Sequence, residues 1–173
     1  WVLRTAPGPL SRTDRMLLDN GYCVVSYDVA GELGNADGTA DLKRAAERVA
    51  KAFRLDTGRF ILEGCGVGAA AAVAGAAAMP GKIQVLLLDA PVADLKAWAD
   101  LSADNKEDVL KAYGLWQWDN RRMPYDFKDL TSKLGKAGVT VAIINETNGM
   151  VSGGEFKNAG CQIISVDEIE AKK

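Results

Sequence analysis

"RFILEGCGVGAAAAVAG", Arg59 to Gly75, decides the fold. Phe60, Ile61 and Leu62 suit a buried strand, Gly64-Cys65-Gly66-Val67-Gly68 suits a sharp turn, and the alanines after it suit a buried helix. Chains that run from strand to helix through glycines usually place a reactive or phosphate-binding group at the turn. Here the tip falls on Gly66, flanked by Cys65 and Val67, and it has no side chain.

On either side, apolar runs and helical patterns alternate. WVLRTA at the start is short and strand-like, and SRTDRMLLDNG (Ser11 to Gly21) suits a helix capped by Ser11 and stopped by Gly21. YCVVSYD (Tyr22 to Asp28) is a β-branched, aromatic strand. AGELGNADGTA (Ala30 to Ala40) is rich in turn residues, and TADLKRAAERVAKAF (Thr39 to Phe53) has apolar residues at helical spacing. After the opening segment, KIQVLLLDAP is a strand ended by Pro91, and Val92 to Trp118 is mostly amphipathic helix. YDFKDLTSKLGKAG is a helix closed by Gly138, VTVAIINE a strand, SGGEFKNAG a loop or short helix, and CQIISVDE a last strand. Alternation of this kind predicts an α/β fold: a doubly wound, mainly parallel sheet of about five to six strands with helices on both faces.

Composition limits the partners. The chain has 173 residues, 48% hydrophobic and 25% charged, with a net charge of −2. That suits one globular domain over residues 1–173. Charges of both signs are interspersed with no basic stripe, so nucleic acid is not an expected partner. No apolar run approaches the ~20 residues that span a bilayer, so no transmembrane segment is expected.

Three cysteines (Cys23, Cys65 and Cys161), widely spaced and without a CxxC pair, fit neither a disulfide framework nor a zinc site. Each reads as a small buried hydrophobe in a reducing or thiol-tolerant compartment. No metal or cofactor is expected. The sequence starts at Trp1, as a fragment would, or as a protein of an organelle would after removal of a targeting peptide. Histidine is absent. Lys, Glu, Asp or Tyr can still act as bases, but Ser-His-Asp and Cys-His mechanisms are ruled out for this chain.

GYCVVSYDVAGELG resembles the strand and loop of the α/β-hydrolase family. FILEGCGVGAAAAVAGAAAMPGKIQVLLLDAP is similar to that family's nucleophile strand, G-x-S-x-G elbow, following helix and next strand. GVTVAIINETNGMVSGGE resembles the later strand that carries the catalytic acid. Order and spacing agree over nearly the whole chain, with an abbreviated front and no histidine loop after CQIISVDE.

The resemblance implies a degenerate site. Its nucleophile position falls on Gly66 and its acid position best on Asn148, which carries no charge to stabilise an imidazolium. The oxyanion loop would lie in LRTAPGP, without the family's His-Gly. Four losses together imply a pseudoenzyme, in which the turn is kept for its backbone and Gly66 relieves the strain a serine would bear.

Two other readings share these glycines. Gly64-x-Gly66-x-x-Ala69, with Asp89 ending the next strand, matches a dinucleotide fingerprint, although such motifs usually sit on the first strand of their domain. Cys65, beside the tip and near a helix N-terminus that could lower its pKa, could instead serve a cryptic ester or thioester hydrolase, against the expectation of a buried structural thiol. Asp28, Glu63 and Asp89 end strands on the side where α/β sites form, and could cluster there.

LWQWDNRRMPYDF (Leu115 to Phe127) lies where the hydrolase family has its cap, so a cap-like helical segment is expected around residues 92–127. Trp116, Trp118, Arg121 and Arg122 are of types enriched at protein interfaces, and are expected to be buried against a partner or in the cap's own core. The sequence therefore points to a non-catalytic α/β-hydrolase-like domain serving as a structural or interaction subunit with other protein subunits.

Overall fold

The apolar runs of the sequence become six strands: β1 (Val2–Arg4), β2 (Val24–Ser26), β3 (Phe60–Cys65), β4 (Ile83–Asp89), β5 (Thr140–Ile144) and β6 (Gln162–Ser165). The structure is a computed structural model that describes residues 1–10, 12–56, 58–119, 123–144, 150–151 and 153–165. All the strand pairings are parallel, in the order β2-β1-β3-β4-β5-β6. Between the strands run α1 (Arg12–Asp19), α2 (Ala36–Phe53), α3 (Gly68–Ala78), α4 (Leu95–Ala99), α5 (Ala103–Ala112), α6 (Phe127–Lys136) and α7 (Gly153–Asn158). The expected Ser11 cap and residues 166–168 of the last strand lie outside the described residues.

Register explains the layers, because strand side chains alternate between faces. Val25, Leu3, Leu62, Leu86, Val141 and Ile163 stand side by side across the six strands. Leu3, Leu62, Leu86 and Val141 are fully buried in one core with Leu42 of α2, Val73 of α3, Leu134 of α6 and Phe156 of α7. Those four helices therefore cover one face. The opposite face carries Val2, Arg4, Ile61, Glu63, Val85, Leu87, Thr140, Ala142 and Ile164 in register.

Cover on this second face is uneven. Asp14 of α1 bonds Arg4 there, and Val2, Arg4 and Glu63 are buried. Toward β6, Ile61, Val85, Leu87, Thr140, Ala142 and Ile144 are only half-buried, and Ile164 is 41% exposed. Parallel sheets normally bury both faces. Here helices lie on both, but those of the described residues leave the β4–β6 half of the second face open.

α3 fits because it is almost entirely Ala and Gly. A Cβ on Gly64 would come 2.7 Å from both Ala69 Cα and Ala72 Cβ, and one on Gly75 would come 2.5 Å from Leu42 Cδ2. Helix and sheet thus touch nearly backbone to backbone.

The sequence places the start of α2 at Thr39; in the structure it begins at Ala36. Asn35 accounts for the difference, since its Oδ1 accepts the Gly38 amide at 2.8 Å and caps a helix whose first turn contains a glycine. The mostly helical stretch 92–118 holds two helices, α4 and α5, because Ser102 accepts the Asn105 amide at 3.1 Å and starts α5 afresh. α4 and α5 pack on the far side of α3 in a second core of Leu33, Ala70, Ala74, Leu95, Val109, Met123 and Tyr125.

Candidate functional site at the glycine turn

β3 ends at Cys65 and α3 begins at Gly68, so the turn joins an interior strand to a buried helix as the sequence implied. Gly66 sits at the tip with φ +53°, a conformation that favours glycine. Its amide donates to the Asp89 carbonyl at 3.0 Å, and its carbonyl accepts from the Val92 amide at 2.9 Å and the Ala69 amide at 3.1 Å. A Cβ on Gly66 would meet nothing within 4 Å. The tip is firmly held and points into open space.

The end of β1 lies against this turn. A Cβ on Gly68 would fall 2.9 Å from Thr5 Oγ1 and 3.5 Å from Ala6 Cβ. The Thr5 hydroxyl, fully buried, lies 2.8 Å from the Gly68 carbonyl and 3.2 Å from that of Glu63. Beside the turn is a cavity of about 390 Å³ lined by Gly31, Leu33, Val67, Trp98, Asp108 and Lys111, among others.

Cys65 departs from the expectation of a buried thiol, because its side chain is exposed. It stands on the second face, in register with Asp89. Partial burial first, and then the negative charges of Asp89 and Glu63, raise its pKa above the ordinary thiol value. Burial and these charges act against the lowering expected from the helix N-terminus. Such a thiol stays protonated near neutral pH, and it is the thiolate that attacks. Of the other two cysteines, Cys161 is buried as expected and Cys23 only half-buried.

Of the three strand-end carboxylates, Glu63 and Asp89 come together with Cys65, whereas Asp28 is exposed and accepts the Ala30 amide at 3.3 Å in a local turn. Glu63 is 3% exposed. Its Oε1 lies 3.7 Å from Arg4 Nε, and Arg4 Nη1 lies 3.0 Å from Asp14 Oδ2. Burial raises the Glu63 pKa from 4.5 to about 7, with Arg4 opposing and Asp14 and Asp89 reinforcing the rise. Carboxylates tuned to this value are often catalytic, but here the group lies inside a buried ion cluster. Sequence reasoning missed Arg4 and Asp14; the signals were a charge inside a strand-like run and an acid in the first turn of a short helix.

Asn148, Arg121 and Arg122 lie outside the described residues. Trp116 is 84% exposed, so it is not part of the chain's own core. Trp118 is half-buried against the second core, with Lys106 Nζ 5.4 Å from its ring centre. In the alternative fingerprint, Gly64 is accounted for by the closeness of α3, and the Gly66 amide is already bonded to Asp89.

The fold is that of the α/β hydrolases. The chain is similar to the crystal structure of MGS-MChE2, an alpha/beta hydrolase enzyme from the metagenome of sediments from the lagoon of Mar Chica, Morocco. The TM-score is 0.57 at 15% sequence identity, over 95% of this chain and 77% of that one. At that identity the likeness concerns architecture alone. No protein-family model matches the sequence, and no curated protein matches it. No helix among the described residues is long and apolar enough to cross a membrane.

Proposed function

We propose that this chain is a non-catalytic α/β-hydrolase-like domain, a structural or interaction subunit of a larger assembly, with residues 92–127 as its cap. The observation that carries the reading is a turn held in full at its backbone whose tip, Gly66, points into open space without a reactive group. The neighbouring Cys65 thiol is pushed toward its protonated form, and the chain has no histidine to relieve it of a proton. Asn148, at the expected acid position, carries no charge either.

The interaction half of the reading draws support from Trp116, a side chain of interface type standing in solvent, and from the half-open second face. A screen of ester and thioester substrates, run on the wild type and Cys65→Ala, tests the first half. Turnover abolished by Cys65→Ala would replace this reading with a thiol hydrolase. Solution mass and co-purification of the wild type and Trp116→Ala test the second. Calorimetry with dinucleotides tests the competing fingerprint Gly64, Gly66, Ala69 and Asp89, where saturable binding would favour a ligand-binding domain.

A further inference from the structure

α1 is weakly held. Among its described side chains only Asp14 is buried, Leu17 is half-buried, and Met16 and Leu18 face solvent. A helix of eight residues is not stable on its own, so its place depends on what it docks against. Asp14 docks on Arg4 of β1, and Arg4 also faces Glu63 of β3. One guanidinium thus stands between two carboxylates on three different elements. Glu63 Oε2 has no hydrogen-bond partner among the described residues.

We propose that Arg4, Asp14 and Glu63 form a pH-responsive latch that seats α1 on the sheet. With Glu63 neutral, Arg4 is committed to Asp14 and α1 is held down. With Glu63 ionised, two carboxylates contend for one guanidinium, the buried cluster carries a net negative charge, and α1 loosens. Loosening extends the open second face from β4–β6 toward Val2 of β1. The charged and titratable groups acting on Glu63 are Arg4 from β1, Asp14 from α1 and Asp89 from β4, with Cys65 on its own strand. Arg4 favours the ionised form, whereas Asp14, Asp89 and above all burial disfavour it.

The direction follows from linkage. Unseating α1 takes Asp14 away and admits water to Glu63, both of which lower its pKa from about 7, so the seated state is favoured in mild acid and loses that advantage as pH rises through about 7. The latch is closed in mild acid and open above neutrality.

Amide exchange of residues 12–19, corrected for intrinsic rate and referenced to α3, tests this between about pH 5 and pH 8. Opening of α1 is expected to increase about ten-fold or more over that range in the wild type. Glu63→Gln, which keeps the shape without the titration, should make it independent of pH. Asp14→Asn should loosen α1 at both ends of the range. A flat wild-type profile, or an unchanged pH dependence in Glu63→Gln, would overturn the latch. If Glu63→Gln fails to fold, carbon NMR of the wild-type Glu63 carboxyl decides: a titration whose midpoint coincides with that of α1 opening supports the latch, and one that falls elsewhere overturns it.

Discussion

The Thr5 hydroxyl lies 2.8 Å from the Gly68 carbonyl, which ties the end of β1 to the first residue of α3. Thr5 is fully buried, so no water replaces that bond. Thr5→Val keeps the shape and leaves a buried carbonyl without this donor. A loss of about 0.5–1.5 kcal/mol is expected, the net worth of one hydrogen bond, because the Gly68 carbonyl keeps its bond within α3; urea unfolding measures it. An unchanged midpoint would mean that the hydroxyl does not help to hold β1 against α3.

The glycines of the turn should differ sharply. Gly64→Ala forces a Cβ to 2.7 Å from the α3 backbone, and overpacking of this kind costs about 1–3 kcal/mol or more. Gly66→Ser enters open space and meets only the backbone cost of φ +53°, about 1 kcal/mol. Its hydrolytic rate should stay at background, since the chain has no histidine to take the serine proton. Comparing both variants by thermal unfolding and an ester assay checks the ranking, and turnover by Gly66→Ser would reveal an unidentified base.

Global stability should fall with rising pH across the range in which most proteins are flat. The Glu63 pKa is about 7 in the fold against 4.5 without it, so the native state holds the proton more tightly. The Glu63 contribution is complete below 4.5 and is lost as pH rises through about 7, a change on the order of 3 kcal/mol. Glu63→Gln should remove this slope. Denaturant midpoints at several pH values measure it, and parallel slopes in the two proteins would contradict the assignment.

The two tryptophans of the 115–127 segment should separate. Trp118→Ala removes packing from the second core and the Lys106 contact, and is expected to destabilise by about 1–3 kcal/mol. Trp116→Ala should change stability by no more than about 0.5 kcal/mol, as at most exposed positions. Loss of a co-purifying partner in Trp116→Ala would assign it to an interface. Loss of neither stability nor partner would leave it a surface residue without a binding role.

The strands were legible because their apolar runs are dense and bounded by glycine and proline, and the turn was legible because Gly64, Gly66 and Gly68 sit at a fixed spacing. Cys65 was misjudged because strand periodicity puts it on the second face, and nothing in a single sequence says that this face is half open there. The cluster of Arg4, Asp14 and Glu63 was invisible for another reason. Arg4 and Asp14 are close in the chain, but Glu63 is distant and joins them only once β1 inserts beside β3, a pairing no local pattern specifies. The start of α2 was misplaced because Asn35 overrides the turn preference of Gly38 through a single side-chain bond.

α3 has its own consequence for how this protein tolerates change. A typical amphipathic helix, like α2, accepts substitution on its wet side and resists it on its dry side, so tolerance rises and falls once per turn. From Gly68 to Ala76 every residue of α3 is buried, and none is larger than Val73. It keeps its place by notches at Gly64 and Gly75 rather than by interlocking knobs. A saturation scan along it should therefore lack any helical period. Volume alone would be selected, in one direction, along nearly the whole length of the element.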